Sequence, residues 1–334
     1  MRRSTLILTI LILSALTYAC AQRTNVPLAG NPPTQPQVDQ IRLPMAYIPN
    51  VQFAPFYVAQ DFGYFSDEKI AMDFDYSFET DGIALVGANN LQFTMASGEQ
   101  ILLARAQGLP VVYVMAYYHA YPVGVVAFPD QNLKTPADLK GKKIGLPGLF
   151  GANYIGLRAL LKVGDINEAE VMLDSIGYNQ VEALISGQDQ AVVIYANNEP
   201  IQLAAQGYTV DLLKVADYVQ LASNGLVTNE KTLVENPDLV RRMTRAILRG
   251  MTYTIQNRDK AYEICTKYIP GLAESDERVQ REILRETIAY WKAQQMGYSE
   301  LQAWQNMQAL LLEMGLLQDA LPLEQAFTNQ FVTP

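Results

Sequence analysis

Between residues 41 and 230 the chain alternates short apolar runs with stretches whose apolar residues recur every three or four positions. The first pattern belongs to buried strands and the second to helices lying on a core. IRLPMAY (41–47) predicts a strand, and FAPFYVAQDFGYFSDE (53–68) a helix with Phe53, Phe56 and Tyr57 in one core-facing stripe. IAMDFDYSF (70–78) alternates Ala71, Asp73, Asp75 and Ser77 with apolar neighbours, as a half-buried strand does. A short helix at DGIALVGANN (81–90) and a strand at LQFTMA (91–96) follow. SGEQILLARAQG (97–108) reads as a helix capped by Ser97, with Glu99 in its first turn. LPVVYVMAYY (109–118) and YPVGVVAF (121–128) are strands. TPADLKGKKIGLPG (135–148) gives a short helix capped by Thr135, a Gly141 turn and a strand. A helix at GANYIGLRALLKVG (151–164) comes next, and QVEALISGQDQAVVIYANNEPIQLAAQG (180–207) repeats helix, strand and helix. From about residue 230 the pattern is helical, most clearly at NPDLVRRMTRAILRGMTYTIQN (236–257) and DERVQREILRETIAYWKAQQ (276–295), where Trp291 reads as core, as does Trp304 beyond it. Strands alternating with helices predict parallel α/β units.

The first forty residues break this pattern. Arg2 and Arg3 precede an apolar run from Leu6 to Leu16, and Ala19 is the small residue expected before a cleavage point. Residues 1–19 therefore read as a secretory signal peptide, with a run shorter than the ~20 residues a spanning helix needs. Ala19-Cys20 resembles a bacterial lipobox, with Leu16 one place further from Cys20 than that motif usually has it. Lipidation at Cys20 is expected; a plain secreted chain with a spare thiol is the alternative. Residues 20–40 are polar and Pro-rich, with too little apolar surface to pack, and read as a flexible lipid-anchored linker. The expected location is the extracytoplasmic face of the cell membrane.

Composition narrows the class. The chain has 334 residues, enough for two domains, and its 49% hydrophobic content is that of a globular protein. Its formal charge of −9 becomes −11 once Arg2 and Arg3 leave with the signal peptide. An acidic surface repels phosphate backbones, so nucleic acid is excluded as a partner. Besides Cys20 there is only Cys265, at a core-facing position, so neither a disulfide framework nor a metal site is expected. His119 is the single histidine and reads as structural, too little for a metal centre or a Ser-His-Asp relay.

Three stretches carry a family resemblance: YIPNVQFAPFYVAQDFGYF (47–65), MASGEQILLARAQGLPVVYV (95–114) and LKTPADLKGKKIGLPG (133–148). They are similar to the substrate-binding proteins of ABC transporters, in the large group that includes the sulfonate receptors and the thiamine-pyrimidine proteins. The likeness runs over roughly residues 41 to 330. It implies a two-lobe α/β periplasmic-binding-protein fold of type II, each lobe a mostly parallel sheet flanked by helices. Residues 41–119 with 221–334 would form lobe 1 and residues 120–220 lobe 2, with two connecting segments as a hinge and the ligand in the cleft between. It further implies a monomer that binds a small molecule, needs no cofactor, catalyses nothing, and hands its ligand to an ABC permease and its ATPase.

The cleft residues are expected at the junctions after the strands. Tyr47 and Asn50 follow the first, Tyr47 standing where the pyrimidine receptors usually carry Trp; a ring there can stack on a ligand for ~1 kcal/mol beyond burial. Glu79 and Asp81 follow the second, and Ala96, Ser97 and Glu99 the third. Tyr117, Tyr118 and Tyr121 lie near the hinge. In the second lobe, Gly148, Gly151, Ala152 and Asn153 precede a helix, and Tyr195, Asn197, Asn198 and Glu199 cluster at a strand end. None of these junctions carries Arg or Lys, which disfavours an anion and favours a flat, neutral, polyfunctional ligand. Two candidates fit. A flavin such as riboflavin would stack on Tyr and satisfy its hydroxyls on Asn, and the chain resembles the riboflavin-binding receptors of the group. An aminopyrimidine precursor of thiamine would suit Glu199. The fungal relatives of the fold that make the thiamine pyrimidine look enzymatic through a His and a Cys-rich motif, and the mature chain has no Cys cluster.

Overall fold

The computed structural model describes residues 38–332. The stretch expected to be a signal peptide, Cys20 and the expected linker up to residue 37 lie outside them. The strand expected from Ile41 already begins at Asp39, as β1 (Asp39–Pro44). It leads into a 3-10 turn and α1 (Ala54–Asp61), which has a proline in its first turn and buries Phe56, Tyr57 and Val58. The helix expected to run on to Glu68 is interrupted, because Gly63 takes φ +72°, a left-handed conformation that ends a helix. β2 (Ile70–Asp75), α2 (Glu79–Gly87), β3 (Thr94–Ala96), α3 (Gly98–Ala106) and β4 (Val111–Ala116) follow.

The chain then crosses to a second lobe. There it forms β5 (Val123–Ala127), β6 (Lys143–Leu146), α4 (Gly151–Val163), β7 (Met172–Ser175), α5 (Gln180–Ile185), β8 (Ala191–Tyr195), α6 (Glu199–Ala205) and β9 (Asp211–Lys214). It returns as β10 (Gly225–Asn229) and continues into α7 (Pro237–Gln256), α8 (Arg258–Cys265), α9 (Glu277–Trp291) and α10 (Leu301–Glu313). β7, β9 and β10 escape the sequence pattern. β7 is a four-residue edge strand with exposed ends, so it shows neither a run nor a clean alternation.

The sheets are more mixed than strand-helix alternation predicts. The first lobe holds β1 paired in parallel with β2, and a three-stranded sheet in the order β3-β10-β4. The second holds five strands in the order β7-β6-β8-β5-β9. β6, β7 and β8 run parallel, but β5 is antiparallel to both its neighbours, and so is β10. The reason is topological. β5 and β10 are the strands by which the chain enters each sheet from the connecting segments. They start at the cleft end, where the others finish: Val123 opposite Tyr195, and Gly225 opposite Ala96 and Ala116.

Those two connections are tied together. Tyr117 and Tyr118 both donate their backbone N–H to Asn224 O, at 2.9 and 3.1 Å. His119 is structural, accepting the Gly297 N–H at Nε2 and donating its own N–H to Tyr290 O. Helices cover the outer faces. α7 buries Leu239, Val240, Met243, Ala246, Ile247 and Met251, and a Cβ at Gly250 would lie 2.1 Å from Pro55 O, so only glycine lets α7 cross α1 this closely. Trp291, Trp304 and Cys265 are fully buried. Among the described residues no helix is long and apolar enough to cross a membrane.

Candidate functional site

Strand ends from both lobes meet at a cleft containing about 900 Å³ of empty space, part of it open to solvent. β1 delivers Met45, Ala46 and Tyr47 to one wall, and the turn after it delivers Gln52 and Phe53. Phe53 thus belongs both to the core and to the cleft, while Phe56 and Tyr57, one helical turn on, are core alone.

Aromatic rings come from both sides. Tyr47 meets Tyr178 of the second lobe edge-on, with centroids 4.9 Å apart at 88°. Phe78 lies 6.4 Å from Phe150 and 6.3 Å from Tyr178, nearly parallel to the latter. Phe78 and Phe150 are each about half exposed, leaving apolar ring surface of the cleft open to solvent. Tyr117 and Tyr118 line the inner end. Tyr117 donates its hydroxyl hydrogen to Gln52 O at 2.6 Å, and Tyr118 donates to Gln52 Oε1 at 3.0 Å. Burial pushes the Tyr47, Tyr117, Tyr118 and Tyr195 phenols above their usual range, so all four are neutral hydrogen-bonding groups.

The polar groups are carboxyls and amides, with no Arg or Lys among the lining residues. Glu199, at the start of α6, accepts the Tyr195 N–H at 2.9 Å and an Asn198 Nδ2 hydrogen at 2.9 Å. Burial lifts its carboxyl to about 7. Tyr195 in turn donates its hydroxyl hydrogen to Asn224 Oδ1 at 3.3 Å. Asn153, Gly151 and Ala152 enter from the beginning of α4, and Asn153 Oδ1 is buried with no hydrogen-bond partner among the described residues. Glu79 faces the cleft from the first turn of α2. Its Oε1 accepts both the N–H and the Oγ–H of Ser97, and Ser97 Oγ also touches Glu99 Oε1. Burial raises both carboxyls; for Glu99 the charge of Glu79 adds to it, bringing the group to about 8.

The structure therefore brings Tyr47, Glu79, Tyr117, Tyr118, Gly151, Ala152, Asn153, Tyr195, Asn198 and Glu199 to one cleft. Other candidates are set elsewhere. Asn50 turns its side chain to the backbone, accepting the Gln52 N–H at 3.0 Å as a cap, and does not line the cleft. Ser97 and Glu99 are fully buried behind Glu79; Ser97 does not cap α3, because the two carboxyls engage its hydroxyl. Ala96, Tyr121, Gly148 and Asn197 also lie off the cleft wall, Tyr121 donating to Ala152 O at 3.0 Å. Asp81 is exposed on α2. Conversely, the strand-end reading misses Gln52, Phe78, Phe150, Tyr178, Gln180 and Asn224. The GLPGLFGANY loop held the signal for Phe150, an aromatic between glycines; Tyr178 and Asn224 adjoin strands that the pattern does not reveal.

Comparison with known proteins agrees with this architecture. The chain is 38% identical to the riboflavin-binding protein RibY of Chloroflexus aurantiacus over 345 residues, covering 99% of this chain and 98% of that one. It is 26% identical to the formylaminopyrimidine-binding protein of Halalkalibacterium halodurans, covering 68% and 70% of the two chains. Among solved structures, the alkanesulfonate-binding protein SsuA of Xanthomonas axonopodis pv. citri superposes with a TM-score of 0.70 at 14% identity, covering 88% of this chain and 99% of that one. The model of proteins described as NMT1/THI5 like matches residues 50–261. With more than half its length in that match, the chain belongs to the NMT1/THI5-like family and is built as a substrate-binding receptor.

Proposed function

We propose that this chain is the extracytoplasmic substrate-binding lipoprotein of an ABC importer, and that it captures riboflavin and delivers it to a membrane permease. The observation that carries the ligand is the cleft itself, with aromatic faces on both sides, neutral Tyr and Asn groups between them, and no basic side chain. A flat uncharged ring system with several hydroxyls matches that lining. The full-length 38% identity to a protein named as riboflavin-binding supports the same ligand. In this reading the lobes divide near residues 119 and 220, and Cys20 carries the lipid. The ligand is released unchanged: His119 holds the Gly297 N–H, and the Cys265 thiol is buried in the core with its pKa pushed up.

The test is a titration of the purified protein with riboflavin, following quenching of flavin fluorescence, beside mass spectrometry of whatever co-purifies. Saturable quenching and recovery of intact flavin are expected. No quenching, or a new product accumulating with time, sinks the reading. A second ligand, an aminopyrimidine precursor of thiamine, is favoured by one feature. The buried Glu199 carboxyl, lifted to about 7, could pair with an amino-pyrimidine edge, and the 26% relative is named for such a molecule. Competition between the two ligands in the same titration separates these readings.

A further inference from the structure

Glu79 reaches toward the opposite lobe. A Cβ placed on Gly151 would lie 3.2 Å from Glu79 Oε2. Gly151 is the first residue of α4, a 13-residue helix. First-turn N–H groups have no partner within their own helix and make its N-terminus electropositive. On the other side, Glu79 Oε1 accepts Ser97 N–H and, at 2.7 Å, Ser97 Oγ–H. Ser97 Oγ is also in hydrogen-bond contact with Glu99 Oε1. A serine hydroxyl has one hydrogen. With that hydrogen directed to Glu79, Glu99 must donate its own to Ser97 Oγ. Glu99 is then the neutral acid, and Glu79 bears the single negative charge of the pair.

We propose that Glu79 sets the charge selectivity of the cleft: its carboxylate, fixed by Ser97 against the N-terminus of α4, fills the place an anionic ligand would take and repels anions from the pocket. The proposal rests on the cleft being the ligand site. It makes uncharged ligands the selected class through one named residue, beyond the mere lack of Arg and Lys.

Glu79→Gln keeps the shape and removes the charge. Sulfate and methanesulfonate are the probes, titrated calorimetrically into both proteins near neutral pH. The variant should bind them at least about tenfold more tightly, ~1.4 kcal/mol; equal affinities overturn the proposal. Riboflavin is titrated separately, so a wild type that ignores riboflavin while the variant gains sulfate sinks only the flavin reading. Should Glu79→Gln not fold, a Glu199→Gln variant gives the answer, since it removes the other raised carboxyl of the cleft. The groups facing Glu79 are Glu99 from α3, Tyr121 before β5, Tyr178 after β7 and Tyr195 at the end of β8, none of them basic. In that variant, lowering the pH from about 8 to about 5 drives the raised Glu79 carboxyl toward its neutral form while sulfate stays charged, so sulfate binding should strengthen about tenfold; a flat profile overturns the proposal.

Discussion

Asn197 donates an Nδ2 hydrogen to Gln52 Oε1 at 3.2 Å, joining the turn after β8 in one lobe to the turn after β1 in the other. Tyr118, on the connection between the lobes, donates to the same oxygen at 3.0 Å. One amide oxygen thus takes hydrogens from the second lobe and from the crossing segment, while itself belonging to the first. Gln52 is buried, so its loss leaves two donors unpaired away from water. Gln52→Ala should lower the unfolding free energy by ~1–3 kcal/mol and weaken riboflavin binding about tenfold. Urea melts and flavin quenching check both; a variant that binds and melts like the wild type would show the bridge to be idle.

Tyr47 and Phe56 should separate binding from stability. Tyr47 lines the cleft, whereas Phe56 is fully buried between Phe53, Phe74 and Tyr117. Tyr47→Ala should cost ~1–3 kcal/mol of binding with little change in the melt. Phe56→Ala should cost ~3–5 kcal/mol of stability. If Tyr47→Ala melts early and binds normally, its ring is packing rather than a ligand face.

Tyr178 is the counterpart the sequence pattern does not reveal. Its ring closes on Tyr47 across the cleft, yet it is 36% exposed in the free protein. Tyr178→Ala should weaken flavin binding by ~1 kcal/mol and leave the urea midpoint within error. Tyr178→Phe should restore the binding, because the face and not the hydroxyl is used. Failure of Phe to rescue would assign the effect to the phenol instead.

Stability should fall as the pH rises. Glu99 and Glu199, at about 8 and about 7, hold their protons in the fold, while unfolded glutamates lose theirs near ~4.3. Through that window the folded chain binds more protons than the unfolded one, so each group lowers the stability by up to ~1.4 kcal/mol per pH unit, levelling off above its folded pKa. His119, held down by burial, acts in the opposite sense inside the window but is one group against two, and the lowered carboxyls, such as Glu170 and Asp174, titrate below it. Urea midpoints should therefore be higher at about pH 5 than at about pH 8, and Glu99→Gln should flatten the slope. A midpoint that climbs with pH would contradict the buried-acid assignment.

These residues show how far the pattern could be read. Tyr47, Tyr195 and Glu199 stand at the ends of strands whose apolar runs are long enough to recognise, so the junction rule finds them. Asn50 obeys the same rule and fails, because a short amide one turn before a helix satisfies its own backbone first. Ser97 fails for a different reason: the carboxyl of Glu79, from another helix, and that of Glu99, two residues on, compete for a hydroxyl that local logic gives to the helix. Tyr178 and Asn224 follow or precede strands defined only by their partners in the sheet, and no local signal marks them. The antiparallel sense of β5 and β10 is likewise invisible along the chain, since direction is set by which end of the sheet the chain enters.

The shared acceptor at Asn224 O has a mechanical consequence. Two crossing strands anchored separately could bend out of step and let the halves of the molecule twist and slide as well as swing. Here Tyr117 and Tyr118 grip one carbonyl on the returning segment, so the two crossings are pinned like the leaves of a door on a single axle. Any relative displacement of the two halves must therefore carry both crossings together about that carbonyl or break one of its two hydrogen bonds.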